Sequence, residues 1–320
     1  MTALRAGTWR RGALALLLGL ALGPGWARAP QAPSESTRDA ALLSAQADAA
    51  RRHLSRHAEA PSVVLVAAAL DGSSKAFVGD VRLAESRLSA LAPAMATLRL
   101  GNHGAPRDWP SASRRNVAEA IARAAELLGA RPGPVAAAAP AHQPADGKGA
   151  TRAHRAPTAR AKDFPRLAIV LLTSHGDEGH LALETRRTRR LQLVPGRELR
   201  RWLQPLAGVP TLVIVSACHS GSLIPSLRGP HRIVMAAARH DRSSFGCETE
   251  SHNTYFIDEL FRALKPESSI EQWFATTARA VGEREARMKL SPPSQPQIDV
   301  GRQMRQAARR PLAELLGTPR

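Results

Sequence analysis

The chain has 320 residues and a formal net charge of +18, with 45 Lys and Arg against 27 Asp and Glu. That length allows one large α/β domain or two small ones with a sizeable core. Such a charge could signal nucleic-acid or anionic-membrane binding, but aromatic residues make up 4%, too few for a base-stacking platform, and the arginines are scattered along the chain, which argues against a nucleic-acid role. A preference for acidic partners stays open.

Residues 1–29 read as a secretory signal peptide. Arg5, Arg10 and Arg11 form a basic region, Gly12 to Gly23 an apolar one, and Ala27-Arg28-Ala29 a cleavage box. The apolar stretch is short for a membrane span and no later segment approaches the length needed. An uncleaved N-terminal anchor is the alternative. The expected location is therefore periplasmic or secreted. Residues 30–59 follow as a polar linker and a surface helix over Ala40 to His57 with basic residues on one side.

From residue 60 to 301 strands alternate with helices. Ser62 to Leu70 is a continuous apolar run stopped at Asp71-Gly72, the pattern of a parallel strand covered on both faces. A helix is expected over Val81–Leu91, a strand over Thr97–Leu100, and a helix over Ser113–Leu128 capped by Ser113 and stopped by Gly129. Residues 131–162, rich in Ala, Pro, Gly, His and basic residues, read as a disordered insertion that loops out of the domain. Strands at Leu167–Leu172, Thr211–Val215 and Arg232–Ala237 and helices at 196–206 and 251–264 follow. Ser268 and Glu271 predict a capping box for a helix to Leu290, stopped by Pro292-Pro293, and residues 302–320 read as a last helix and tail. This alternation implies an α/β domain with a mostly parallel central sheet and helices on both faces.

In such sheets the working site lies beyond the carboxyl ends of the strands. Cys218 follows the strand that ends at Val215, His175 follows the strand that ends at Leu172, and Asp71 follows the first strand. A thiol and an imidazole at neighbouring strand tips are the pair a cysteine peptidase needs: the imidazole takes the thiol proton and later protonates the leaving amine. The small residues Gly176 and Ala217 leave backbone amides accessible, so the N–H groups of Gly176 and Cys218 form a candidate oxyanion hole. A disulfide between Cys218 and Cys247, the two cysteines of the chain, is the structural alternative in an exported protein. Stapled domains are cysteine-dense and this chain is not, so Cys247 reads as a packing residue. No C-x-x-C or H-x-x-x-H pair accompanies His175, Cys218, His219 and Cys247, which disfavours a metal site. Ser216 and Ser220 lack the Gly-x-Ser-x-Gly elbow of a serine nucleophile. Arg186, Arg187, Arg189 and Arg190 read as a solvated loop.

Five ordered blocks carry a resemblance: Leu-Thr-Ser-His-Gly at 172–176, Val-Ser-Ala-Cys-His-Ser-Gly at 215–221, Asp-Arg-Ser-Ser-Phe-Gly-Cys at 241–247, Asn-Thr-Tyr-Phe at 253–256 and Ser-Gln-Pro-Gln-Ile-Asp-Val-Gly at 294–301. Together they resemble the legumain-type (hemoglobinase) cysteine peptidases, in particular bacterial exported members. The resemblance implies a caspase-hemoglobinase-like three-layer sandwich and peptide hydrolysis through a thioester, without metal or organic cofactor, on peptide or protein substrates. It makes His175 the general base and acid, Cys218 the nucleophile and Asp71 the residue that orients the imidazole. It places Ser243, Ser244 and Asp258 in the substrate pocket, with His219 beside the nucleophile as a pocket wall or a solvated turn residue. His219 stands where eukaryotic members carry an acidic residue, and their basic loop after the first strand has no match, so the resemblance does not by itself imply their asparagine preference. Transpeptidation by the same thioester, and an exported binding module without turnover, are the alternative functions.

Overall fold

The computed structural model describes residues 34–102, 104–130, 166–185, 190–248 and 251–318. The signal segment, the insertion at 131–162 and Arg186, Arg187 and Arg189 lie outside them. From residue 35 the chain forms one unit, and its elements are α1 (Glu35–Arg56), β1 (Ser62–Ala69), α2 (Lys75–Leu91), β2 (Met95–Gly101), α3 (Arg114–Leu127), β3 (Arg166–Thr173), β4 (Gly176–Asp177), β5 (His180–Leu183), β6 (Gln192–Pro195), α4 (Gly196–Trp202), β7 (Thr211–Ser216), α5 (Ile224–Leu227), β8 (Arg232–Ala236), α6 (Tyr255–Arg262), α7 (Ile270–Arg287), β9 (Gln297–Val300), α8 (Arg305–Ala308) and α9 (Leu312–Leu316).

Six strands form the main sheet in the order β2-β1-β3-β7-β8-β9. All pairs are parallel except β8 with β9, which is antiparallel. The continuous apolar runs follow from burial of both faces. Alternate residues of β1, Val64, Val66 and Ala68, face a core built with α1, α3, α4 and α5. Val63, Leu65 and Ala67 face a second core built with α2, α6, α7, α8 and α9. The result is a three-layer α/β sandwich. Among the described residues no helix is long and apolar enough to cross a membrane.

A second sheet, β4-β5-β6, is a small antiparallel one that begins one residue after His175. At the β2 end of the main sheet, the Gln46 side chain of α1 stands in for a strand. Its Oε1 accepts from Arg99 N–H at 2.8 Å and its Nε2 donates to Arg99 O at 3.2 Å.

Several element ends differ from the sequence reading. Helix α2 begins at Lys75 rather than Val81, because Ser74 caps it by accepting from Ala76 N–H. Helix α6 starts at Tyr255 rather than Ser251, where Thr254 is the cap. The expected last helix is two short ones, α8 and α9, and β9 arises from a block where only a motif was read. The capping box lies one residue later than expected: Ser269 accepts from Gln272 N–H, and the Gln272 side chain accepts from Ser269 N–H.

That shift is testable. Replacing Ser269 with Ala should lower the unfolding free energy by about 1 kcal/mol in urea titrations, the ordinary worth of an N-cap. Ser268→Ala should stay within about 0.5 kcal/mol of the parent, as surface substitutions do.

Candidate active site

The register of β3 against β7 sets the site. Thr173 lies opposite Ser216, and Ser174 N–H continues the ladder to Ser216 O at 3.0 Å. His175 and Cys218 therefore leave adjacent strands at the same end of the sheet, each two residues past its strand. Gly176 shows how closely the two tips approach: a Cβ there would lie 2.4 Å from Cys218 O and 2.9 Å from Ala217 Cβ. Only glycine leaves room for both backbones.

Among the described residues, both candidate oxyanion amides point away from backbone acceptors. Ala182 N–H donates to His175 O, while Gly176 is registered against Leu181 and Asp177 against His180. In an antiparallel ladder bonded and non-bonded pairs alternate, so Gly176 occupies a non-bonded position and turns its N–H away from β5. Cys218 N–H has no backbone acceptor among the described residues.

The imidazole of His175 is held from two sides. Phe77 of α2 meets it edge-on with ring centroids 5.0 Å apart. Its Nε2 lies 3.0 Å from Ser73 Oγ. Asp71, buried at the end of β1, does not touch the ring; it accepts from both Ser73 Oγ at 2.6 Å and Ser73 N–H at 2.8 Å. The single hydroxyl proton of Ser73 is thus directed to Asp71, so Ser73 Oγ serves His175 as acceptor and Nε2 carries the ring proton. Nδ1 keeps its lone pair and makes no hydrogen bond among the described residues. Ser73 was absent from the sequence reading, although Asp-Gly-Ser-Ser directly after a strand is the string in which an Asp side chain bonds the residue two ahead.

Cys218 is half-buried and free, as is Cys247. Its sulfur lies against Ser244: the Ser244 N–H donates to Sγ at 3.3 Å, Ser244 O is 3.5 Å away and Ser244 Oγ 3.7 Å. Burial, then the nearby Cys218 and Glu248, push the Cys247 thiol up to about 11. The turn after Cys218 is pinned to the segment after β8. His219 adopts a left-handed conformation with φ 55°, its N–H donates to Arg242 O at 2.8 Å, and its Nδ1 contacts His240 O at 3.0 Å. These bonds place the His219 ring against the 238–242 turn.

The expected pocket residues divide. Ser244 touches the sulfur, while Ser243 beside it is exposed. Asp258 is engaged elsewhere: it accepts from Arg284 Nη1 at 2.7 Å and Arg262 Nη2 at 3.1 Å, with the Arg284 guanidinium 3.8 Å above the Tyr255 ring. Its charge is neutralised by two arginines. Among the described residues no group of three or more His, Cys, Asp or Glu side chains is arranged to hold a metal. A cavity of about 720 Å³ opens away from this rim, between α1, α2 and β2, lined among others by His53, Arg82, Arg99 and Trp109.

With Cys247 held protonated by burial, iodoacetamide at pH 8 should modify Cys218 at least about tenfold faster than Cys247, because the thiolate is the reactive form. Peptide mapping by mass spectrometry reads the two rates.

No curated protein matches the chain. Among solved structures it is similar to caspase-1 from Spodoptera frugiperda, with 13% identity and a TM-score of 0.47 over 75% of this chain and 86% of that one. Residues 166–289, from the start of β3 to just past α7, match the model of the Peptidase C13 family, so the segment that holds both His175 and Cys218 resembles the legumain-type cysteine peptidases.

Proposed function

We propose that this chain is an exported cysteine endopeptidase that cleaves peptide bonds through a thioester on Cys218. The observation that carries the reading is the delivery of His175 and Cys218 to one rim by the in-register strands β3 and β7, within a segment that matches a peptidase family. In this mechanism Nδ1 of His175 takes the Cys218 proton, and the thiolate attacks the scissile carbonyl carbon. A C–S bond forms, and the carbonyl electron pair moves to an oxygen facing the Gly176 and Cys218 amides. Collapse breaks the C–N bond, with the proton on Nδ1 passing to the departing amine. Water, deprotonated by the same nitrogen, then attacks the thioester, releasing the carboxylate product and restoring the thiol. Throughout, Ser73 and Asp71 hold the ring by its other nitrogen. The N-terminal residues 1–29 support export before action.

Turnover of a peptide library by the protein lacking residues 1–29 tests the proposal. Cys218→Ala should lower kcat by at least about 10³-fold, since removal of the nucleophile leaves only binding and oxyanion contributions. Hydrolysis at the parental rate in that variant would sink it. An added amine that becomes joined to the acyl fragment would instead favour transpeptidation.

Ser73→Ala should cut kcat by about tenfold or more while KM stays near the parental value, because general acid–base catalysis is worth roughly 10²–10⁴-fold and depends on ring orientation. Steady-state kinetics on one cleaved peptide checks this.

A further inference from the structure

Beneath the rim lies a carboxyl group that the proposed mechanism does not use. Asp80 sits on the inner face of α2 with Phe77, Val81, Ala84 and Leu88, and none of its surface is exposed. A carboxylate in such a place is costly unless hydrogen-bond donors surround it. Four do. Oδ2 accepts from Thr173 Oγ1 at 2.6 Å and Thr254 Oγ1 at 2.9 Å. Oδ1 accepts from Thr254 N–H at 2.9 Å and Asn253 Nδ2 at 3.4 Å. With the Thr254 hydroxyl proton directed to Asp80, Ser216 Oγ, 2.8 Å from Thr254 Oγ1, donates to it.

The partners are the bases of the three segments that build the site. Thr173 ends β3, two residues before His175. Ser216 ends β7, two residues before Cys218, and stands opposite Thr173 in the register. Asn253 and Thr254 close the loop that brings Ser244 to the sulfur, and Thr254 caps α6. The same helix α2 presents Phe77 to the imidazole. Past these ties each segment runs only a short way before it reaches the reacting groups, so a shift at the base is transmitted to the tip.

We propose that Asp80 is a positioning residue that fixes the separation of His175 from Cys218 and the seat of Ser244 against Sγ. The proposal rests on the reading of His175 and Cys218 as the catalytic pair. An apolar side chain of similar size would pack the same face of α2 without the desolvation cost of a carboxyl. What it would not supply is a set of directional bonds to β3, to the α6 cap and, through Thr254, to β7. Four donors from β3 and the α6 cap converge on its two carboxyl oxygens, which suits a joint that must hold three backbones in one arrangement.

The test compares four chains lacking residues 1–29: the parent, Asp80→Asn, Thr173→Val and Leu88→Ala. Asn keeps the shape of Asp80 but sets an amide donor against two hydroxyl donors, and Val removes one donor without changing shape. Leu88→Ala opens a cavity on the same helix, away from the site, and serves as the control for general softening. The first readout is the rate of Cys218 alkylation by iodoacetamide at pH 7, which needs no substrate; the second is kcat and KM on a cleaved peptide. Asp80→Asn should slow alkylation and kcat by about tenfold with KM within about twofold, as expected of misplaced reacting groups. Thr173→Val should slow both by a smaller factor in the same direction. Leu88→Ala should keep parental values even with an equal or larger fall in Tm. Parental alkylation in Thr173→Val, and in Asp80→Asn where it folds, overturns the proposal, as does a Leu88→Ala variant slowed as much as Asp80→Asn. A Cys218→Ala chain that still hydrolyses peptide overturns the catalytic reading instead, and the alkylation comparison still decides the role of Asp80.

Discussion

Parallel pairing of β3 with β7 puts Thr173 opposite Ser216, and the chemistry available to this chain is set from that pairing. Side chains in a strand alternate between faces, so a slip of one residue would turn Thr173 and Ser216 to the opposite core and carry His175 and Cys218 out of alignment. The register is held on both sides. Val170, Leu172, Val213 and Val215 are committed to one core, and Ile169, Leu171, Leu212 and Ile214 to the other. The buried Thr173 and Ser216 lie at the carboxyl ends of β3 and β7, where the sheet gives way to loops. Apolar packing thus fixes the frame, and hydrogen bonds fix what the frame presents.

The polar groups at that end form two separate sets. One lies at the rim, Asp71 with Ser73 and His175, where the His175 ring is half-buried and Ser73 is exposed. The other lies beneath it, where Asp80, Thr173, Thr254 and Ser216 are buried and Asn253 is half-buried. Burial, outweighing the four hydrogen bonds, raises the Asp80 carboxyl to about 7. The sulfur lies beside a third group of contacts from the segment after β8, where His219 and Gly221 are zipped to Arg242 O and Ala238 O. Cys218 is therefore held by a neighbouring turn as well as by its own strand.

Much of the frame was legible in the sequence because a strand buried on both faces writes itself as an unbroken apolar run, as 62–70, 167–172 and 211–215 do. The residue types after those runs, His175 and Cys218, then stood out. Other features left weaker traces. Asp80 falls at helical spacing within an apolar stripe, where an acidic residue reads as a helix beginning later than it does. Ser73 sits in a turn string in which any Ser is unremarkable, and only distance geometry shows that it bridges Asp71 to the ring. Strand β9 is a four-residue sheet edge, half-exposed throughout, so it lacks the apolar run that marks the central strands. Asp258 has the residue type expected of a pocket, yet Arg262 and Arg284, one turn away and on another helix, claim it.

The order of donors along His175, Ser73 and Asp71 has one more consequence. Ser73 has a single proton and gives it to Asp71, so the ring is an Nε2 donor whether neutral or cationic. When a proton arrives at Nδ1, no hydroxyl rotor has to flip and no bond in the chain has to reverse. The new positive charge finds its counter-dipoles already aligned, so ring protonation demands little rearrangement from the surrounding protein.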